Sequence, residues 1–130
     1  MSNGDSKLTM ENVIIQNAKG AANAVVRSTG IVDIKKSRFV NNTVELSSSG
    51  YVGDSLFYLG SSARLTIEQC VIADNKGPKN LLYESSSASA TMNYNNIQNN
   101  TFDLGFKTDN GALNADYNIG EAMTNQLILL

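Results

Sequence analysis

The sequence has no histidine, no tryptophan, one cysteine and one proline in 130 residues. Without histidine there is no conventional zinc site and no imidazole to act as a general base. A lone thiol, Cys70, cannot close an internal disulfide. Charged residues are scarce at 17%, and 10 basic against 12 acidic side chains leave a net charge of −2. That balance lacks the electrostatic footprint of a nucleic-acid-binding surface. Gly-x-Gly phosphate loops and basic stripes are missing, and nothing points to a cofactor. Long apolar runs are absent as well. The tail Leu127–Leu130 is too short to insert in a bilayer. The polar start, Met1 to Ser6, lacks the apolar stretch of a signal peptide, so a natural signal would have to lie upstream.

Asparagine and serine fill the gap, with 17 and 14 copies. Both compete with helical hydrogen bonding and favour turns, which argues against a helical protein. One segment recurs four times. It reads LTMENVIIQNA from Leu8, VDIKKSRFVNN from Val32, LTIEQCVIADN from Leu65 and ATMNYNNIQNN from Ala90. A spacing near 24 residues with β character predicts a β-solenoid, with an insertion around Val44–Gly53 accounting for one longer interval. Period-two alternation points the rows Leu8/Val32/Leu65/Ala90 and Met10/Ile34/Ile67/Met92 inward. After a bend, Val13/Ser37/Cys70/Asn95 and Ile15/Phe39/Ile72/Ile97 also face inward, with Asn95 the main departure. Outside, Glu11, Lys35, Glu68 and Asn93 alternate acid, base, acid. Asn17/Asn41/Asp74/Asn99 and Ala18/Asn42/Asn75/Asn100 align at bends, where Asn and Asp tolerate left-handed backbone and stacked amides can bond one another.

A weaker segment precedes three of these strands: Ala24-Val25-Val26, Phe57-Tyr58-Leu59 and Leu82-Tyr83-Glu84. Ser28-Thr29-Gly30, Ser61-Ser62-Ala63 and Ser85-Ser86-Ser87 follow as expected bends. Later, Phe102, Leu104 and Phe106 alternate like a buried strand, Asp109-Asn110-Gly111 signals a turn, and Ala112–Asn118 reads as a last strand. The expected architecture is an all-β, right-handed parallel β-helix (a single-stranded β-solenoid) of about four or five coils. It would occupy residues 8–120, after a disordered or expression-derived start at 1–7 and before a tail or cap at 121–130.

Phe39-Val40-Asn41-Asn42, Ile72-Ala73-Asp74-Asn75 and Ile97-Gln98-Asn99-Asn100 resemble the F-x-x-N repeat of parallel β-helix surface proteins, including polymorphic outer-membrane autotransporter passengers. Asn114-Ala115-Asp116-Tyr117-Asn118-Ile119-Gly120 resembles the Asn-Tyr-Asn-aromatic-aromatic-Gly phrase of adhesin-like proteins of methanogenic archaea, with Ile119 in place of an aromatic. The resemblance spans residues ~8–120 and carries over no catalytic residue. It implies a non-enzymatic attachment module at a cell surface or secreted, within a longer exported protein, whose partner is a glycan or protein of a host or neighbouring cell.

Two other functions compete with that reading. A structural stalk would self-associate end to end. A glycan lyase or hydrolase would need several carboxylates around Ca²⁺, or a carboxylate pair flanking a sugar. Glu11, Asp33 and Glu68 are interleaved with Lys35 and Thr66, a poor metal site. Cys70 reads as a buried space-filler rather than a nucleophile. Candidate ligand-binding residues are Tyr58 and Tyr83, aligned beside Val25, and Tyr51 and Arg38 in or near the insertion, with Asp54. Alternation puts Ala24/Phe57/Leu82 and Val26/Leu59/Glu84 inside, leaving the two tyrosines outside as a strip suited to sugar rings. Glu84 fits a core poorly, so an inward reading of the tyrosines stays open.

Overall fold

The computed structural model describes residues 2–21, 24–45, 54–77, 80–102, 105–108, 112–116, 118–120, 122–123 and 126–127. Every regular element among them is a strand. In chain order these are β1 (Ser2–Glu11), β2 (Ile14–Gln16), β3 (Lys19–Ala21), β4 (Ala24–Lys35), β5 (Arg38–Val40) and β6 (Thr43–Glu45). Next come β7 (Ser55–Leu59), β8 (Arg64–Glu68), β9 (Val71–Ala73), β10 (Asn80–Glu84), β11 (Ser89–Asn93) and β12 (Asn96–Gln98). The last are β13 (Gly105–Thr108), β14 (Ala112–Asp116), β15 (Ile119–Gly120), β16 (Ala122–Met123) and β17 (Gln126–Leu127).

The strands are parallel, except that β16 and β17 pair antiparallel. The expected β-helix of stacked coils is nevertheless corrected. One eight-stranded sheet runs in the order β13-β10-β7-β4-β8-β11-β14, with β1 also on β4, and curls into a nearly closed, barrel-like form. A second, five-stranded sheet runs β15-β12-β9-β5-β2, and β3 pairs with β6. The physical reason lies in β4. Its first half pairs with β7 and its second half with β8, so one uninterrupted strand joins both halves of the large sheet. The bend expected at Ser28-Thr29-Gly30 does not break it. Only two residues separate Ser28 from Ile31, against four between the equivalent Leu59 and Arg64 and four between Glu84 and Ser89. Two residues are too few for the turns seen at Ser61–Ser62 and Ser86–Ser87. The Ser28 hydroxyl bonds the amide and carbonyl of Gly30 at 3.0 and 3.1 Å, holding the chain extended.

Residues aligned from the sequence do pair across strands. Leu8, Val32, Leu65, Ala90 and Leu113 form one row, and Met10, Ile34, Ile67, Met92 and Ala115 another. Ile15, Phe39 and Ile72 continue to Ile97 on the second sheet. Both sheets bury the middle of these rows together, while Leu8 at one end is exposed, and Phe39 meets Phe57 edge-on at 4.9 Å across the interior. Each fully buried aliphatic or aromatic side chain of this kind contributes about 1.5–3 kcal/mol. Gly77 admits the last wedge of core. A Cβ there would lie 2.8 Å from Phe102 and 3.0 Å from Val44.

The turns between sheets need left-handed backbone. Asn17, Asn41, Asp74 and Asn99 all have φ near +55°, as their residue types suggest. So do Asn12, Lys36, Gln69 and Tyr94, one corner earlier. Beside these corners, asparagine side chains stand in for missing strand partners. The Asn75 Oδ1 accepts from the Asn42 amide at 2.9 Å and from its Nδ2 at 3.0 Å, while Asn75 Nδ2 donates to the Phe39 carbonyl at 2.9 Å. Asn100 repeats this toward Asn75, and Asn118 toward Asn95. The inward Asn95 is thereby explained. Its Oδ1 accepts from the Cys70 amide at 2.9 Å, and its Nδ2 serves Asn118 and the Ile67 carbonyl.

Replacing Asn75 by Ala leaves the buried Asn42 amide and Phe39 carbonyl unmatched and is expected to cost about 3 kcal/mol or more. Asn41→Gly, which removes an exposed amide bonded to Asn17 at 2.7 Å and keeps the left-handed backbone, should cost under about 1 kcal/mol. Urea unfolding of both variants checks this, and equal losses would contradict the role given to Asn75.

Candidate functional site

The structure separates the residues singled out from sequence. Tyr58 lies on β7, Tyr83 on β10 and Arg38 on β5 of the other sheet, while Tyr51 falls outside the described residues. Asp54 is fully buried, and its backbone carbonyl accepts from the Asn80 amide at 3.0 Å.

Tyr58 and Tyr83 are neighbours in register, with rings stacked at 5.3 Å and 16° between planes. Their neighbour on β4 is Arg27, not Val25, because the shorter corner after Ser28 slides the register by two residues. The inward sets shift with it, to Val26/Phe57/Leu82 and Ser28/Leu59/Glu84. The Arg27 guanidinium sits 5.0 Å over the Tyr58 ring. Tyr58 thus has an arginine on one face and a tyrosine on the other, a cation–π contact worth about 0.5–1 kcal/mol at such a site. Tyr83 is only 5% exposed. What this strip offers a ligand is the Arg27 head and the edge of Tyr58, with no open ring face on Tyr58.

Arg38 occupies a different surface. On the outer face of the five-stranded sheet, Ile14, Arg38, Val71, Asn96 and Ile119 form one row in register. Gln16, Val40, Ala73 and Gln98 form the next. Ile14 and Ile119 are 61% and 65% exposed, and the amides of Gln98 and Asn96 bond each other at 2.9 Å. Arg38 is the one charge in these two rows, and it is exposed. The sequence had pointed to Arg38 by its nearness to the insertion. The uncharged row around it is legible only once the register of the short strands is known.

The outer face of the large sheet differs. Three ion pairs lie along it: Lys7 to Asp33 at 2.7 Å, Lys35 to Glu68 at 3.4 Å, and, at its border, Lys36 to Glu11 at 3.5 Å. These are solvated pairs, each worth a few tenths of a kcal/mol. Among the described residues no group of three His, Cys, Asp or Glu is placed to hold a metal.

Two interior groups carry reactive chemistry in principle. Cys70 is buried, and its sulfur lies 3.2 Å from the Glu68 carbonyl and 3.5 Å from the Ser37 amide. Desolvation pushes the thiol pKa up, which disfavours the nucleophilic thiolate. Glu84 is fully buried in the row of Leu59 and Ser28, with neither carboxyl oxygen hydrogen-bonded among the described residues. Burial raises its pKa from 4.5 to about 7. No family of known proteins, curated protein or solved structure matches this chain.

Glu84 makes stability pH-dependent. Its folded-state pKa lies above the unfolded one, so its contribution is complete below about pH 4.5 and is lost as pH rises through about 7. The loss at pH 8 is on the order of 3 kcal/mol. Melting temperature should therefore fall from pH 5 to pH 8, and Glu84→Gln should flatten the profile and exceed the parent protein at pH 8. Parallel profiles for the two proteins would show that Glu84 does not titrate within the folded interior.

Proposed function

We propose that this chain is a non-enzymatic, adhesin-like binding module that lays the outer face of its five-stranded sheet along an extended acidic glycan at a cell surface. The observation that carries this reading is the row Ile14, Arg38, Val71, Asn96 and Ile119, with a single exposed cation among aliphatic and amide side chains. An exposed apolar row on a soluble face marks a contact surface more often than chance. Its composition also suits a saccharide chain. Arg38 offers a planar fork to a carboxylate or sulfate, Asn96 and Gln98 offer amide donors and acceptors to hydroxyls, and Val71 and Val40 offer apolar patches between them. Rows of parallel strands repeat at ~4.8 Å, so an extended ligand meets the same kind of surface along its length.

The buried polar groups support a role other than catalysis. The interior asparagines are occupied with backbone groups, and the Cys70 thiol is held un-ionised by desolvation. Placement at the cell surface, as part of a longer exported protein, belongs to the same proposal.

The test is a glycan array with purified protein, repeated with Arg38→Ala and with Val71→Asp. Binding to uronic-acid or sulfated glycans is expected, weakened about tenfold or more by Arg38→Ala, since a hydrogen-bonded charge contributes about 1.5–3 kcal/mol. Chelator should have no effect. A blank array on folded protein would sink the glycan reading and favour a structural spacer. Binding that survives both substitutions but falls with Arg27→Ala would move the site to the Tyr58 strip.

A further inference from the structure

β1 is an edge. Its only partner among the described strands is β4, so a row of backbone donors and acceptors faces outward along its other side. Beside it the core is open. A cavity of about 190 Å³ is lined by the apolar Leu8, Met10, Ile15, Val25, Val26 and Val32 together with Arg27, and Leu8 is 39% exposed. An edge strand next to uncovered core is a template for pairing with another chain.

We infer that two copies of this chain pair head to head, β1 antiparallel to β1 about a two-fold axis at Thr9. The residues of β1 are self-complementary about that point. Reading Lys7-Leu8-Thr9-Met10-Glu11 against its own reverse sets Lys7 opposite Glu11 of the partner subunit and Leu8 opposite Met10 of the partner subunit. Apolar side chains meet on the inner face and opposite charges on the outer one. Within each copy Lys7 already pairs with Asp33 and Glu11 with Lys36. The dimer therefore extends these pairs into an alternating line of base, acid, base, acid across the axis. A two-fold interface of this kind closes on itself and leaves no further edge of the same type.

Sedimentation equilibrium of the 130-residue protein tests the inference. A monomer–dimer equilibrium that stops at two copies is expected. A monomer at every concentration, or mass that grows without limit, would overturn it. Lys7→Glu and Glu11→Lys each oppose like charges twice across the axis and should raise the dissociation constant about tenfold. The double variant restores opposite charges and should return it to within about threefold of the parent. Each single variant breaks one pair within the copy and the double variant breaks both, so monomer melting temperature will not show that rescue. A double variant as weak as the singles would refute the Thr9-centred register. Thr9→Cys adds a check independent of charge. Opposed antiparallel residues have Cα atoms ~4.5–5.5 Å apart, within disulfide reach, so oxidation should give a covalent dimer. Cys70 is buried and will not compete.

Discussion

The whole structure depends on how the chain turns a corner without stranding its backbone. The second-sheet strands β2, β5, β9 and β12 are three residues long, so much of the chain lies in corners rather than in ladders. At a corner the strand partner is missing, and a buried amide left unmatched costs about 1–3 kcal/mol. Ser37, Asn42, Asn75, Asn95, Asn100 and Asn118 supply acceptors at these places, and the asparagines return a donor to a carbonyl deeper in the core. A side chain with both donor and acceptor is needed at such a point, which valine or aspartate would not provide. The apolar rows of Ile34, Ile67 and Ile72 can close around the corners only because the polar groups there are satisfied first.

This dependence explains which parts of the fold were legible. Long-range pairing was readable because side-chain type recurs at matched positions: an apolar residue two places from another, then an amide at the turn. Leu65 beneath Val32 and Ile72 beneath Phe39 follow from that pattern alone. The global arrangement was not readable, because it turns on a small difference in length. Two residues fewer after Ser28 remove a bend, extend β4 to twelve residues and join what would otherwise be separate faces into one curled sheet. Ser28-Thr29-Gly30 has the composition of a turn, and composition does not reveal that the span is too short to make one. The same slip moved Arg27 beside Tyr58 and put Glu84 in the row of Ser28 and Leu59, where alternation had already set it inside against its chemistry.

The site was legible only in part for a related reason. Tyr58 and Tyr83 were recognisable as neighbours, since both sit at one position of an aligned segment, and they stack as neighbours do. Whether their ring faces were free depended on what flanked them, and the flanking Arg27 came from the misjudged corner. Arg38 carries no motif. Its interest arises from Val71, Asn96 and Ile119, residues from three later strands that no local reading connects to it.

The corner amides also give the molecule a direction. Each row passes hydrogen bonds one way along the chain, from the Val13 amide to Ser37 and from the Ala18 amide to Asn42. A contact between unlike, directed surfaces can repeat into an open filament, whereas pairing of the β1 edge with its own copy is symmetric about a two-fold axis and closes. Charge reinforces this. Along β1, a base at Lys7 and an acid at Glu11 flank Thr9, and only an antiparallel partner sets each opposite its complement. The asparagine rows let the core close, and the charges along β1 set how one molecule can meet another.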